Sequence, residues 1–270
     1  HVSWGMLGYL AYQQLQVGHI DVAYDLLYWG SLIFALGNGT VEAFINPVVA
    51  TMFNKSKPKW LNILHAGWPG GLVLAGIIVI GLGNVEWWIK IVVTVIPAFL
   101  YFIILIKQKF PKNERVAAGV TYKEMLQEFG IGGAILVAFL LVLQLNDFFK
   151  PESDDYLMRY GFIAIGVLIV TIFGWYVKTI GRPILLFLCF IIMPLAITEL
   201  GTDSWIQSIM QNVANKQGFD AGWVLIYTSA IMLVLRLYAG KILYKISPLT
   251  LLAISSVLAI FGLYTLSIAT

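Results

Sequence analysis

Glu42 lies inside "GNGTVEAFINPVVATMF" (37–53), one of the most apolar stretches of the chain. Asn38 precedes it by four residues and Asn46 follows it by four, so in a helix the carboxylate and the two carboxamides share one face. Pro47 cannot donate a main-chain hydrogen bond and loosens the helix beside them. An ionisable group in hydrocarbon costs about 2.5–3.5 kcal/mol, so it faces a cavity, a partner or a pathway. A carboxylate between two amides can hold a polar solute and carry a proton. The bland alternative is a hydrogen bond that glues two helices together.

Other chemistry-bearing residues are few. "LNILHAGWPGG" (61–71) sets Asn62 and His65 on one face, with His65 as a proton relay, a solute hydrogen-bonder or a satisfied structural histidine. Gly67 and Gly71 there form a small-xxx-small pattern that predicts a close helix contact. "ITELGTDSWI" (197–206) carries Glu199 and Asp203 one turn apart, Glu199 deep among polar neighbours and Asp203 solvated near the outer surface. Arg236 in "LVLRLYAGKILYKISP" (233–248) either snorkels to the interface or pairs with an acidic group in a gate. Cys189 is the one cysteine, so no internal disulfide forms, and in an apolar run it reads as a buried, inert thiol. His19 has Asp21 and Asp25 nearby, without metal-ligand spacing. No metal or cofactor is expected.

The elements that position these residues are written in the composition. Of 270 residues 60% are hydrophobic and 11% charged, against about 25% charged in an ordinary soluble domain. Apolar runs long enough to cross a bilayer, about 20 residues each, recur along the chain. They predict an all-α, polytopic membrane protein with nine spans, at about 1–18, 26–53, 60–83, 86–107, 128–149, 157–178, 183–212, 221–242 and 247–270. Short loops such as "NKSKPK" (54–59), "KPESDD" (150–155) and "NKQGFD" (215–220) join them. The longest link, 107–130, is expected to hold a short surface helix from Tyr122. A net charge of +3, spread over loops, argues against nucleic acid as a partner.

Basic residues decide the orientation. Lys55, Lys57, Lys59, Lys107, Lys109, Lys112, Arg115, Lys123, Lys178, Arg182, Lys241 and Lys245 fall in alternate loops, twelve of the seventeen lysines and arginines. Only Lys90, Lys150, Arg159 and Lys216 fall opposite. The "NKSKPK" loop is therefore expected in the cytoplasm. Trp29, Trp87, Trp88, Trp205 and Trp223 near outer ends, and Trp60, Trp175 and Tyr176 near inner ends, match the headgroup layers.

The run "GNGTVEAFINPVVATMF", a basic loop and "LNILHAGWPGGLVLAG" together resemble helices four and five of the major facilitator superfamily. The likeness is to its fucose and glucose/galactose permease branch of sugar–proton symporters. "RLYAGKILYKISP" is similar to that superfamily's loop between helices eight and nine, and "TELGTDSW" to its helix seven. The resemblance implies a proton-coupling role for Glu42 and substrate binding by Asn38, Asn46, His65, Trp68 and Glu199. It implies a gating or structural role for Pro47, Arg236 and Gly240. His65 stands where the branch has glutamine, Trp68 where it has asparagine, and Tyr244 where it has the gating aspartate.

Set against that pattern, 1–107 supplies helices three to six of a first bundle, 108–127 a cytoplasmic loop, and 128–178 two additional, peripheral spans. Residues 179–270 supply helices seven to nine of a second bundle. The chain starts at His1 and stops within an apolar run, and reads as a fragment of a fourteen-helix protein. The function expected is secondary active transport of a small polar solute, with sugars among the candidates, by proton symport in a monomer of the inner cell membrane. A membrane-embedded acyl- or glycosyltransferase, or a non-transporting solute sensor, remains open beside it.

Overall fold

The computed structural model describes residues 1–151, 155–243 and 246–269, with the side chains at 239–243, 248, 249 and 269 outside that description. Its elements run α1 (Val2–Gln16), α2 (Ile20–Met52), a 3-10 turn (Asn54–Ser56), α3 (Lys57–Leu82), α4 (Trp87–Val93) and α5 (Val95–Leu105). They continue with α6 (Glu114–Ala117), α7 (Tyr122–Phe149), α8 (Tyr156–Val177), α9 (Pro183–Gln217), α10 (Gly222–Leu243) and α11 (Pro248–Ala269). Each expected span falls on helix, and no strand occurs among the described residues. Among the described residues seven helical segments are long and apolar enough to cross a membrane. Neither the 15-residue α1 nor α10, with its shorter apolar stretch Gly222–Tyr238, is among those seven. The protein is an all-helical, multi-pass membrane protein.

Helix ends follow local chemistry. Asp155 Oδ1 accepts from the Met158 amide at the start of α8 and Asp220 Oδ1 from the Gly222 amide before α10. Ser247 Oγ accepts from the Thr250 amide at the start of α11. The span expected at 86–107 is broken into α4 and α5 at Thr94, whose hydroxyl donates to the Ile91 carbonyl. Pro97 cannot donate to the Val93 carbonyl four residues back, so the regular ladder has a gap at this point.

The chain divides into two compact units, His1–Asn113 with Trp205–Thr270, and Glu114–Ser204. In the first, α1 is flanked by α2 and α4, and small residues set the distances. A Cβ on Gly30 would stand 2.8 Å from the Trp4 ring, and one on Gly5 2.8 Å from Val95 Cγ2. The most extensive helix pairing in this unit is α3 with α10. A Cβ on Gly76 would stand 2.6 Å from Ile226 Cγ1, and Gly70 faces Leu233. The two contacts run in opposite sequence directions, so the helices are antiparallel. The pair expected to make a close contact, Gly67 and Gly71, has nothing within 4 Å of either position. The close approach on α3 is made instead by Gly70 and Gly76, on another face of the helix.

The second unit is built on the antiparallel hairpin of α7 and α8, where Gly166 lies against Val142 and Ala138, and Gly174 against Ile131. The expected surface helix does begin at Tyr122, with a complete capping box. The Thr121 hydroxyl accepts from the Glu124 amide, and Glu124 Oε2 accepts from the Thr121 amide at 2.7 Å. Gly130 then breaks the helix with φ 61° and ψ −169°. Residues 131–149 beyond the break extend about 28 Å at 1.5 Å per residue, enough to span by themselves.

Glu124 therefore lies outside the span, and the main-chain and hydroxyl donors of Thr121 hold its carboxyl below the ordinary glutamate value of 4.5. A carboxyl lowered on folding stabilises above its unfolded value and loses that contribution as pH falls through the folded one. Acidification through that lowered value should therefore reduce the protection of the Glu124 and Met125 amides, measured against their intrinsic exchange rate at each pH, while the α7 amides beyond Gly132 keep theirs.

Candidate functional site

Asn38, Glu42 and Asn46 occupy successive turns of α2, a helix 33 residues long. Glu42 lies about 15 Å from the Met52 end at 1.5 Å per residue, half of a bilayer core of about 30 Å. Its side chain is exposed, and it makes no hydrogen bond or ion pair among the described residues. Asn38 and Asn46 are half-buried, and the Asn46 Oδ1 is enclosed without a hydrogen-bond partner. A buried carbonyl left so costs about 1–3 kcal/mol, a penalty that a donor from a bound molecule would remove. Pro47 leaves the Ala43 carbonyl without an N–H to meet at residue 47, to one side of this face.

The opposite surface of α2 is approached by the segment before α6. Phe110 meets Phe44 edge-on with centroids 5.0 Å apart. Ala43, Phe44, Pro47, Val48 and Thr51 line a cavity of about 180 Å³ with Pro111 and Asn113.

His65 and Trp68 lie one turn apart on α3 and flank the stripe through Ala66, Pro69 and Gly70 that faces α10. His65 is half-buried and has no side-chain hydrogen bond among the described residues, whereas Trp68 is 51% exposed and points away from the seam. Pro69, fully buried, leaves the His65 carbonyl without its usual donor. Asn62 is tied back to the Pro58 carbonyl at 2.9 Å, so it is the less available of the two polar groups read from this helix.

Arg236 is half-buried on α10. Gly240 is on the same helix, but its surroundings, like Tyr244, lie outside the described residues. Glu199 is half-buried on α9 and belongs to the other compact unit. Asp203 departs from its expected solvated state: it is half-buried, and its Oδ2 is enclosed with no hydrogen-bond partner. Cys189 is free and half-buried rather than fully enclosed. His19 is a turn residue, its Nδ1 2.9 Å from Gln14 Oε1.

The structure thus assembles Asn38, Glu42 and Asn46 on one helix face and pairs His65 with Trp68 on another. The sequence reading missed Ser229. It is 1% exposed in the α3–α10 seam, and its hydroxyl has no hydrogen-bond partner. Its one legible signal is its place between Ile226 and Leu233, the two residues that meet glycines of α3. Among the described residues no group of three or more His, Cys, Asp or Glu side chains could hold a metal ion. Comparison with known protein families, with curated proteins and with solved structures finds no match to this chain.

Proposed function

We propose that this protein is a secondary active transporter that moves a small polar solute, with a sugar as the leading candidate, by proton symport. In this reading nine helices cross the inner cell membrane, and the fold is that of the major facilitator superfamily. The observation that carries the proposal is the Asn38–Glu42–Asn46 face of α2. A carboxylate at mid-membrane depth is too costly to face lipid. On this face it is exposed, next to an amide oxygen that lacks a donor. A water-filled cavity that admits a hydroxylated solute and a proton answers both needs.

The α3–α10 pairing supports the same reading. α3 belongs to the first of the expected bundles and α10 to the second, and they meet through glycine, alanine and serine, small side chains that let two helices approach closely. Alternating access asks for such a seam, along which two halves rock about a fixed site.

Proteoliposomes containing the purified protein, loaded with unlabelled monosaccharides and polyols, test the proposal. Labelled sugar should enter by exchange well above empty vesicles, and an acid-outside gradient should concentrate it. Entry no faster than into empty vesicles across the whole panel would leave a solute-sensing role as the better reading.

A further inference from the structure

We infer that the joint between α7 and the α8–α9 loop is a two-part clasp, with a permanent main-chain frame and a releasable ionic mooring for the segment that carries α6. This inference is independent of the transport reading.

The frame consists of residues 127–132 laid against 177–182. The Arg182 amide donates to the Glu128 carbonyl at 2.8 Å, the Ile131 amide to Thr179 at 2.8 Å and the Gly132 amide to Ile180 at 2.9 Å. Two side chains add to it: the Thr179 hydroxyl donates to the Gln127 carbonyl and Gln127 Nε2 to the Val177 carbonyl. Such a close approach requires two glycines. Gly130 and Gly181 both have positive φ, 61° and 108°, and a Cβ on Gly181 would stand 2.5 Å from the Phe129 carbonyl oxygen. Leu186 of α9 packs on Gly132, so the first turns of α9 belong to the frame. Neutral main-chain bonds and packing of this kind do not respond to ionic strength.

The mooring is of another kind. Glu128 sits between two guanidiniums, Arg115 Nη1 at 2.7 Å from Oε2 and Arg182 Nη2 at 3.4 Å from Oε1. The Arg182 bridge duplicates what the frame already holds. Arg115 is on α6, whose four residues are too few to persist alone, so its bridge fastens an otherwise marginal turn to α7. That bridge is half-exposed and therefore weak and salt-screened. The segment can come off its mooring while the hairpin stays shut.

Amide exchange on the full chain in lipid nanodiscs, read at single residues, tests this. In the parent protein the amides of Ile131, Gly132 and Arg182 should exchange slowly at both low and about 1 M salt, where screening lengths are about 3 Å. The amides of Ala118, Gly119 and Val120, bonded to Glu114, Val116 and Arg115 carbonyls, should exchange about fivefold faster at high salt, as loss of an exposed ion pair predicts. Glu128→Gln should show the fast pattern at low salt. Arg115→Gln leaves the Glu128–Arg182 pair in place and should do the same, which guards against a folding defect in the first variant. Unchanged exchange at 118–120 in Arg115→Gln would overturn the mooring. Acceleration of 131, 132 and 182 together with 118–120 would show one cooperative unit and overturn the division into two parts.

Discussion

Alanine at Gly130 should destabilise the α7–α8 unit by on the order of 4 kcal/mol, a large part of the stability of a typical domain. The conformation alone, φ 61° with ψ −169°, costs a residue with a Cβ about 1–3 kcal/mol. The new Cβ would stand 2.2 Å from the Gly181 nitrogen and 2.4 Å from its Cα. Those are main-chain atoms, so no side chain can swing aside. Relief requires the two segments to part, and three main-chain hydrogen bonds worth about 1 kcal/mol each are then lost. Gly161→Ala in the same unit is the control, since nothing lies within 4 Å of that position. The measurement is the thermal midpoint of unfolding in detergent, with tryptic cleavage in the α8–α9 loop as a local readout. A Gly130→Ala protein as stable as Gly161→Ala would show that the crossing does not hold the hairpin closed.

Glu42→Gln should separate two activities of the transporter proposed above. Glutamine keeps the length and hydrogen-bonding capacity of the protonated acid but cannot release a proton. Uphill accumulation driven by a proton gradient should therefore fall to the level of empty vesicles. Exchange of labelled for unlabelled solute needs no net proton movement and should persist within about tenfold of the parent rate, or 1.4 kcal/mol in barrier. Glu42→Ala should abolish both, because the hydrogen-bonding group is also removed. The comparison is informative because Glu42 makes no hydrogen bond or ion pair among the described residues, so neither substitution breaks a visible structural contact. Normal, pH-dependent accumulation by Glu42→Gln would assign proton coupling to another group and make Glu42 a structural polar contact.

Helices were readable because lipid allows little else: a run of about 20 apolar residues must satisfy its own main chain. The four-residue spacings that place Asn38, Glu42 and Asn46 on one face were equally local. What the sequence did not disclose is which faces find neighbours. Gly67 and Gly71 form a better small-residue pattern than Gly70 and Gly76, yet the latter meet α10, because partner choice depends on a helix some 150 residues away. The geometry of the break at Gly130 was hidden for the same reason. The link expected at 107–130 does end at Gly130, but nothing local in "FGIGGA" specifies the positive φ there, which the crossing of Gly181 makes worthwhile. Asp203 looked like a headgroup-level acid from its depth in the run, whereas enclosure of one of its oxygens is a property of packing.

The clasp also determines how the hairpin is joined to the rest of the chain. The path enters at Glu128 and leaves at Arg182, and the amide of one bonds the carbonyl of the other at 2.8 Å. A stretch whose two ends touch dictates no distance to whatever lies before or after it, which is the condition under which inserted domains are tolerated. The hairpin is thus a detour with a common door. Its lipid-facing surface can diverge, lengthen or be exchanged for another two-helix insert while the sequence outside that door keeps its own course.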